Sequence, residues 1–439
     1  MIETLVTTRQ VLGRGATKGS RSRRSRTAPG SPRGAMAKEL RVAASLDQRI
    51  LVASVAGLCL LGLPMILAAS EDGSVLAGAS PYGDVIRQCL FMAVGLVCGI
   101  LAAHLRPAMI RRVGVVLPLA GLALLVAVFL PGMGHSAGGS SRWIGAGPIQ
   151  LQPSELMKLA VIVFGADLCA RRANRKDQFA AVVFPMLLLL AVSGALIVAQ
   201  PDLGTAIVLS CITFGILFAA GVRLRLLCAV MGLVTICGGT LALHAAYRRD
   251  RLLSFLHPFA HASGSGYQVV QSLATLGMGG SGGSGVGGSE TPWGYLPNAH
   301  TDFVFAVVGG NLGVVGSIAV LAGFACFAWA GIRVALRERD AFTRLVAAGI
   351  TVWILTQAVI NIGGVIDALP VTGIPLPFVS YGGSALIVAM VGAGVLAGIA
   401  RRQGASAPLG ASVLVKSSRG APVKARRGEP RLAMRRASS

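Results

Sequence analysis

Ten apolar stretches, each close to the roughly 20 residues that a helix needs to cross a bilayer, punctuate the chain between residues 50 and 400. They run near 50–70, 85–104, 113–130, 155–170, 180–199, 204–221, 226–245, 303–332, 345–366 and 384–400. With 54% hydrophobic and only 13% charged residues, the chain has too little polar surface to wrap that many segments in a water-soluble shell. The expected fold is an all-α polytopic membrane protein of about ten transmembrane helices. Three parts follow: a basic tail 1–46, a transmembrane domain 47–402 whose largest connection, 246–301, joins helices 7 and 8, and a second basic tail 403–439. The tails hold few large apolar residues, and their composition predicts disorder next to anionic lipid. The first 49 residues are too long and too polar for a signal-peptide leader, so the segment starting near Ile50 reads as an uncleaved signal anchor.

A net charge of +23 invites a nucleic-acid reading, but the position of the bases decides otherwise. All but six of the 40 lie at 1–49, after residue 400, and in alternate connections at 106–112, 171–176, 223–225 and 333–344. That alternation is the positive-inside pattern, with both termini cytoplasmic and an even number of helices. Nucleic acid is therefore not an expected partner. The eight cysteines all fall inside apolar segments with no CxxC or metal-ligand spacing, so they read as small packing residues.

The six remaining bases, Arg87, Arg142, Lys158, Arg248, Arg249 and Arg251, all map to the outer face, where topology disfavours them. Arg87 and Lys158 also sit at the outer ends of helices, where desolvating a charge costs about 2.5–3.5 kcal/mol at full depth. An anionic ligand would offset that cost, and snorkelling to headgroups is the alternative. Acids are scarce, 17 in all, and the outer ones include Glu155, Asp202, Asp250, Glu290, Asp302 and Asp367. Asp302 opens the apolar run Phe303 to Ala306, where it can cap the helix or serve as a partly desolvated base. Asp202, after Pro201, and Glu155, in Pro153-Ser154-Glu155, both suit first turns of helices.

Segment 246–301 reads as the longest non-helical outer stretch, a length that is usually functional or disordered. Its Gly/Ser run, Gly277 to Ser289, contains GxGxxG and GxSxG matches. With no preceding strand, neither a dinucleotide site nor a hydrolase elbow is expected. His257 and His261 lack a third ligand and read as loop residues. Near 367–383, Pro370, Pro375 and Pro377 forbid a regular helix, and irregular backbone at membrane depth must be buried in protein or line a wet cavity.

These outer segments resemble the SEDS family, the polytopic cell-wall proteins that include FtsW, RodA and SpoVE. The resemblance runs from about Arg87 to Gly394. It is carried by Arg87-Gln88, by Arg142-Trp143-Ile144 with Gln152-Pro153-Ser154-Glu155-Leu156 and Lys158, and by Gln200-Pro201-Asp202-Leu203-Gly204-Thr205. It continues through Tyr247-Arg248, Arg251, Phe255 and Pro258 to Gly266-Tyr267-Gln268 with Gln271-Ser272. Gly294-Tyr295-Leu296-Pro297, His300-Thr301-Asp302-Phe303, Asn361-Ile362-Gly363, Pro375-Leu376-Pro377-Phe378 and Ser380-Tyr381-Gly382-Gly383-Ser384 complete it.

The resemblance implies an inverting glycosyltransferase that polymerises lipid II at the outer face of the cytoplasmic membrane, alongside a class B penicillin-binding protein. Asp302 matches the family's essential aspartate, with a role as catalytic base. Arg87, Lys158, Arg248 and Arg251 are the expected partners of the leaving pyrophosphate, while Glu155, Asp202, His300 and Ser380 shape the cavity. A divalent cation, Mg or Mn, is compatible with that chemistry, its ligands unassigned, and no nucleotide or organic cofactor is expected. Where the family usually has two glutamates, this chain has Gly310 and Asn311, and Asp367 stands where a small residue is more common. The Tyr295 to His300 stretch resembles the FtsW branch more than RodA, which favours septal synthesis with divisome partners. A RodA-like elongation role, a lipid II flippase and a non-catalytic transpeptidase scaffold stay open as alternatives.

Overall fold

The structure, a computed structural model, describes residues 32–76, 82–131, 134–137, 140–145, 150–172, 179–244, 254–264, 266–285, 296 and 299–406. Arg248, Arg251 and most of both tails lie outside the described residues. The elements in order are α1 (Pro32–Leu76), which runs on into the compact unit Lys38–Ala407, then α2 (Tyr82–His104), α3 (Pro107–Arg112) and α4 (Val116–Ala127). A short hairpin, β1 (Gly134–Ala137) and β2 (Ser140–Ile144), leads to α5 (Pro153–Arg172), α6 (Phe184–Ala199), α7 (Leu203–Ala219) and α8 (Leu224–His244). Then come α9 (Tyr267–Gly279), α10 (Val304–Arg337), α11 (Ala341–Val365) and α12 (Gly383–Ser406).

All ten apolar segments read from the sequence fall on helices, and the protein is a multi-pass, essentially all-helical membrane protein. Among the described residues, six helical stretches are long and apolar enough to cross a bilayer: Arg41–Ser70, Tyr82–His104, Phe179–Ala199, Val304–Arg337, Ala341–Val365 and Gly383–Ala405. Helices α4 and α7, and the stretch Leu224–Thr240 of α8, are shorter apolar elements. Helix α5 is diluted by Glu155, Lys158 and Asp167, all three buried inside protein.

Three features differ from the sequence reading. The first helix starts at Pro32, well before the boundary at 46, because Ala35 to Leu46 is dominated by strong helix formers that carry the span into the basic segment. The connection 246–301 is not wholly irregular: α9 forms inside it, burying Val269, Gln271, Ser272 and Thr275, and Pro258–His261 forms a turn of 3₁₀ helix. The hairpin was hidden by its Gly/Ser-rich composition, and its register pairs Gly134 with Ile144 and Ala137 with Ser140.

Helices α2 and α12 form the most extensively packed pair, and the reason is a stripe of small residues on each. A side chain added at Gly394 would run into the Gly99 carbonyl oxygen, and one at Gly398 into that of Ala103. Without a hydrophobic drive between helices in lipid, such backbone-to-backbone approach is what holds a pair together. Gly394→Leu is therefore expected to separate the two helices. Thermal unfolding in detergent should fall by several degrees, and Gly394→Ala should give a smaller drop of the same sign.

Helix α10 is interrupted at Gly313, whose φ of 64° and ψ of −155° lie outside the helical region. The break leaves backbone groups to be satisfied, and the Gly/Ser run does so. Val314 N–H donates to Gly280 O at 3.0 Å, Gly285 N–H to Asn311 O at 3.0 Å, and Ser284 gives both its N–H and its hydroxyl to Gly310 O at 3.1 Å. A side chain at Gly283 would collide with Asn311 O. The glycines here serve close backbone approach.

Asp47 of α1 is fully buried between Arg333 and Arg337 of α10. Asp167 of α5 takes Arg111 and, at 2.8 Å, Arg171.

Candidate active site

Asp302 stands two residues before the start of α10 at Val304, and Phe303 between them takes the N-cap position. The aspartate is half-buried and lies against the irregular segment 367–382. A side chain added at Gly373, whose φ is 71°, would meet Asp302 Oδ2 at 3.6 Å. Only glycine leaves that face of the segment open to the carboxylate. Ile374, Leu376, Phe378, Val379 and Ser380 are buried, which satisfies the demand that irregular backbone at this depth be enclosed by protein.

Two residues before Asp302, the His300 ring packs edge-on against Tyr381 with centroids 5.6 Å apart, and Tyr381 N–H donates to His300 O at 2.9 Å. Burial and the Asp84 charge push the Tyr381 phenol up, against a hydrogen bond and charge from Arg87 that pull it down. Arg87 is 58% exposed and 3.8 Å from Asp84. Its neighbour Gln88 is buried and donates to Ser380 O at 3.2 Å. The Ser380 hydroxyl accepts from Leu376 N–H at 2.9 Å, so it closes a turn of the segment.

Burial holds His300 below its ordinary value of 6.5, with Asp84 pulling the other way. Between the depressed value and 6.5 the unfolded chain binds a proton that the folded chain does not. Stability therefore rises with pH through that window, is complete above it and is lost as pH falls. Thermal unfolding between about pH 7.5 and about pH 5 should show the wild type losing stability, and His300→Gln losing less.

On the other side of segment 367–382, Asp202 caps α7, as its position after Pro201 suggested. It accepts from Thr205 N–H at 3.0 Å and Thr205 Oγ1 at 2.9 Å. Gln152 adds a bond at 3.3 Å, and the β2 residue Arg142 approaches to 3.9 Å while donating to Pro201 O at 2.6 Å. Gly204, two residues on, abuts Thr372 and Ile374. The structure thus joins Asp302, His300, Arg87, Asp202 and Ser380 through one irregular segment.

Glu155 and Lys158 lie behind that segment, inside the protein. Lys158 is 0% exposed; it donates to Glu155 Oε1 at 2.7 Å and Gln357 Oε1 at 3.0 Å, and its ammonium sits 5.2 Å from the Trp353 ring centroid. Arg248 and Arg251 cannot be placed, being outside the described residues. Sequence reasoning did not single out Asp84, Gln357 or the Arg142–Asp202 pairing. The legible signal for Gln357 was a polar residue one turn from Asn361 in an otherwise apolar helix.

The family model described as cell cycle protein, FtsW/RodA/SpoVE, matches residues 48–404. The chain belongs to the FtsW/RodA/SpoVE family. Among its similar relatives in that family, the probable peptidoglycan glycosyltransferase FtsW of Mycobacterium tuberculosis is 38% identical over 354 residues, covering 81% of this chain and 68% of that protein. Stage V sporulation protein E of Bacillus subtilis is 37% identical over 342 residues, covering 78% and 93%. The fold matches a chain from a structure described as structural coordination of polymerization and crosslinking by a peptidoglycan synthase complex, with TM-score 0.68, 28% identity and coverage of 80% and 97%. It also matches an Asp-to-Ala variant of the rod shape determining protein RodA of Thermus thermophilus, with TM-score 0.61, 27% identity and coverage of 80% and 97%.

Proposed function

We propose that this member of the FtsW/RodA/SpoVE family is a peptidoglycan glycosyltransferase of FtsW type, polymerising lipid II at the outer face of the cytoplasmic membrane. One observation carries the reading: Asp302, in the family motif His300-Thr301-Asp302-Phe303, lies half-buried against a glycine of an enclosed irregular segment, with polar clusters on both sides. Similarity to proteins named as glycosyltransferases supports it. Ten spans, with both termini on the cytoplasmic side and the 246–301 connection outside, are the topology that this reading requires.

In the reaction, the Asp302 carboxylate takes the proton of the acceptor GlcNAc 4-hydroxyl as that oxygen attacks the donor MurNAc anomeric carbon. The bond to pyrophosphate breaks, undecaprenyl pyrophosphate leaves, and the anomeric centre inverts. Arg87, with Arg248 and Arg251, meets the charge that develops on the leaving group. Among the described residues, no group of three or more His, Cys, Asp or Glu side chains converges on a metal site. A divalent cation such as Mg or Mn, if one takes part, would help neutralise the leaving pyrophosphate. Helix α8 packs mainly on α7 and exposes Met231, Leu233 and Ile236, a surface suited to a polyprenyl chain.

The partners in this reading are lipid II, membrane lipids, a class B penicillin-binding protein and divisome proteins, at the division septum. A flippase would need polar groups continuing inward, and Asp47 and Asp167 at the inner end are already each engaged by two arginines. The test is reconstitution of the full chain in liposomes with its transpeptidase partner, lipid II and Mg or Mn. Glycan polymer is the expected product, with lipid II translocation measured in the same vesicles. Translocation without polymer would favour the flippase instead.

A further inference from the structure

Helix α11 carries two buried amides one turn apart, Gln357 and Asn361. A buried amide in a membrane helix is costly unless its hydrogen bonds are made; here the N–H donors of both are spent on the backbone around Asp302, while Asn361 Oδ1 is buried without a hydrogen-bond partner among the described residues. Asn361 Nδ2 donates to Asp302 O at 2.7 Å and to Ile374 O at 2.8 Å, spending both of its hydrogens. Gln357 Nε2 donates to Pro375 O at 3.1 Å. Successive carbonyls of the irregular segment are therefore held by successive turns of one helix, and the same helix holds the aspartate that lies against that segment.

The orientation of Gln357 is fixed from behind. Its Oε1 accepts from Trp353 Nε1 at 2.9 Å and from Lys158 Nζ at 3.0 Å. Two donors on that oxygen select one of the two amide orientations and turn Nε2 toward Pro375. Lys158 has its charge matched by Glu155 and none of its surface exposed. An ammonium so enclosed contributes to the site by fixing Gln357, and it presents nothing to a pyrophosphate in the cavity.

We propose that Asn361 and Gln357 are positioning residues for Asp302, and that Lys158 acts on the reaction through Gln357 instead of through the substrate's phosphates. The proposal rests on the glycosyltransferase reading, since it needs Asp302 to be the reacting carboxylate. Asp302 precedes its helix, and its carbonyl accepts from Asn361. The Asn361 bridge ties it to the 373–375 carbonyls, and a shift of about 1 Å at a reacting group can lower a rate about 100-fold.

The test uses the full chain in liposomes with lipid II as the probe, comparing the wild type, Asn361→Leu, Gln357→Met and the doubly neutral Glu155→Gln/Lys158→Met protein. Each variant is expected to lower kcat about 10- to 100-fold with KM for lipid II within about twofold of wild type. In Asn361→Leu, the acid limb of the pH–rate profile, which reports the base, should also shift. Unchanged kcat in these proteins would overturn the proposal, and so would a raised KM at constant kcat, the mark of side chains that touch substrate. Should Asn361→Leu fail to elute as a folded species, Gln357→Met decides the matter from one link further back. If the wild type and Asp302→Asn are equally inactive, the glycosyltransferase reading itself fails; an active wild type with fully active positioning variants sinks only the positioning role.

Discussion

Glycan synthesis by the Asp302→Asn protein is expected to fall by at least about 10²- to 10⁴-fold, with membrane insertion and elution in detergent unchanged. The amide has the size of the carboxylate but cannot accept the acceptor hydroxyl's proton. The tie that fixes this position, Asn361 Nδ2 to the residue 302 carbonyl, belongs to the backbone and survives the exchange. Gly373 presents no side chain that would clash with an amide, since even an added carbon there would stand 3.6 Å from Oδ2. Polymerisation measured by gel separation of lipid-linked glycan is the readout. A folded Asp302→Asn chain that made polymer at the wild-type rate would leave the carboxylate with no part in proton transfer.

The second large effect concerns the ion pair inside the bundle. Removing one partner of a buried pair strands the other charge at a cost of about 3–5 kcal/mol, whereas replacing both by neutral groups of similar size is often close to neutral. Glu155 and Lys158 meet those conditions, being 3% and 0% exposed at their side chains. Glu155→Gln alone should strip Lys158 of its counter-ion, and Lys158→Met alone should leave Glu155 with no cation. Each is expected to reduce the yield of folded protein and its resistance to heat. The double variant Glu155→Gln/Lys158→Met should recover most of that loss, measured as thermal unfolding of purified protein. A double variant as unstable as the singles would mean that the pair does more than neutralise itself.

The helices were legible because the bilayer imposes a single strong rule, about 20 apolar residues per crossing. Even α5 was found, although Glu155, Lys158 and Asp167 interrupt it. The hairpin at Gly134–Ile144 was not found, because Gly/Ser-rich strands carry no alternating pattern to read. At the site, Asp302 stood out as a carboxylate at the start of an apolar run, and Asp202 as a cap. Lys158 shows where linear reading stops. Its outer position and charge suggested a phosphate ligand, and only the fold brings Gln357, 199 residues away, onto the same ammonium. The i, i+3 spacing of Glu155 and Lys158 was visible, but nothing in the sequence distinguishes an exposed pair on that spacing from an enclosed one.

The glycine seam between α2 and α12 bears on how the molecule is made. Synthesis runs from the amino end, so the second helix emerges long before the last one exists to receive it. Until Gly394 and Gly398 arrive, the bare backbone around Gly99 and Ala103 has no mate, and the Asp47 carboxylate must likewise wait for Arg333 and Arg337. The helices between them therefore assemble before that seam can form. A chain cut short before residue 383 would leave α2 without the helix it packs on most extensively, a natural target for membrane proteases.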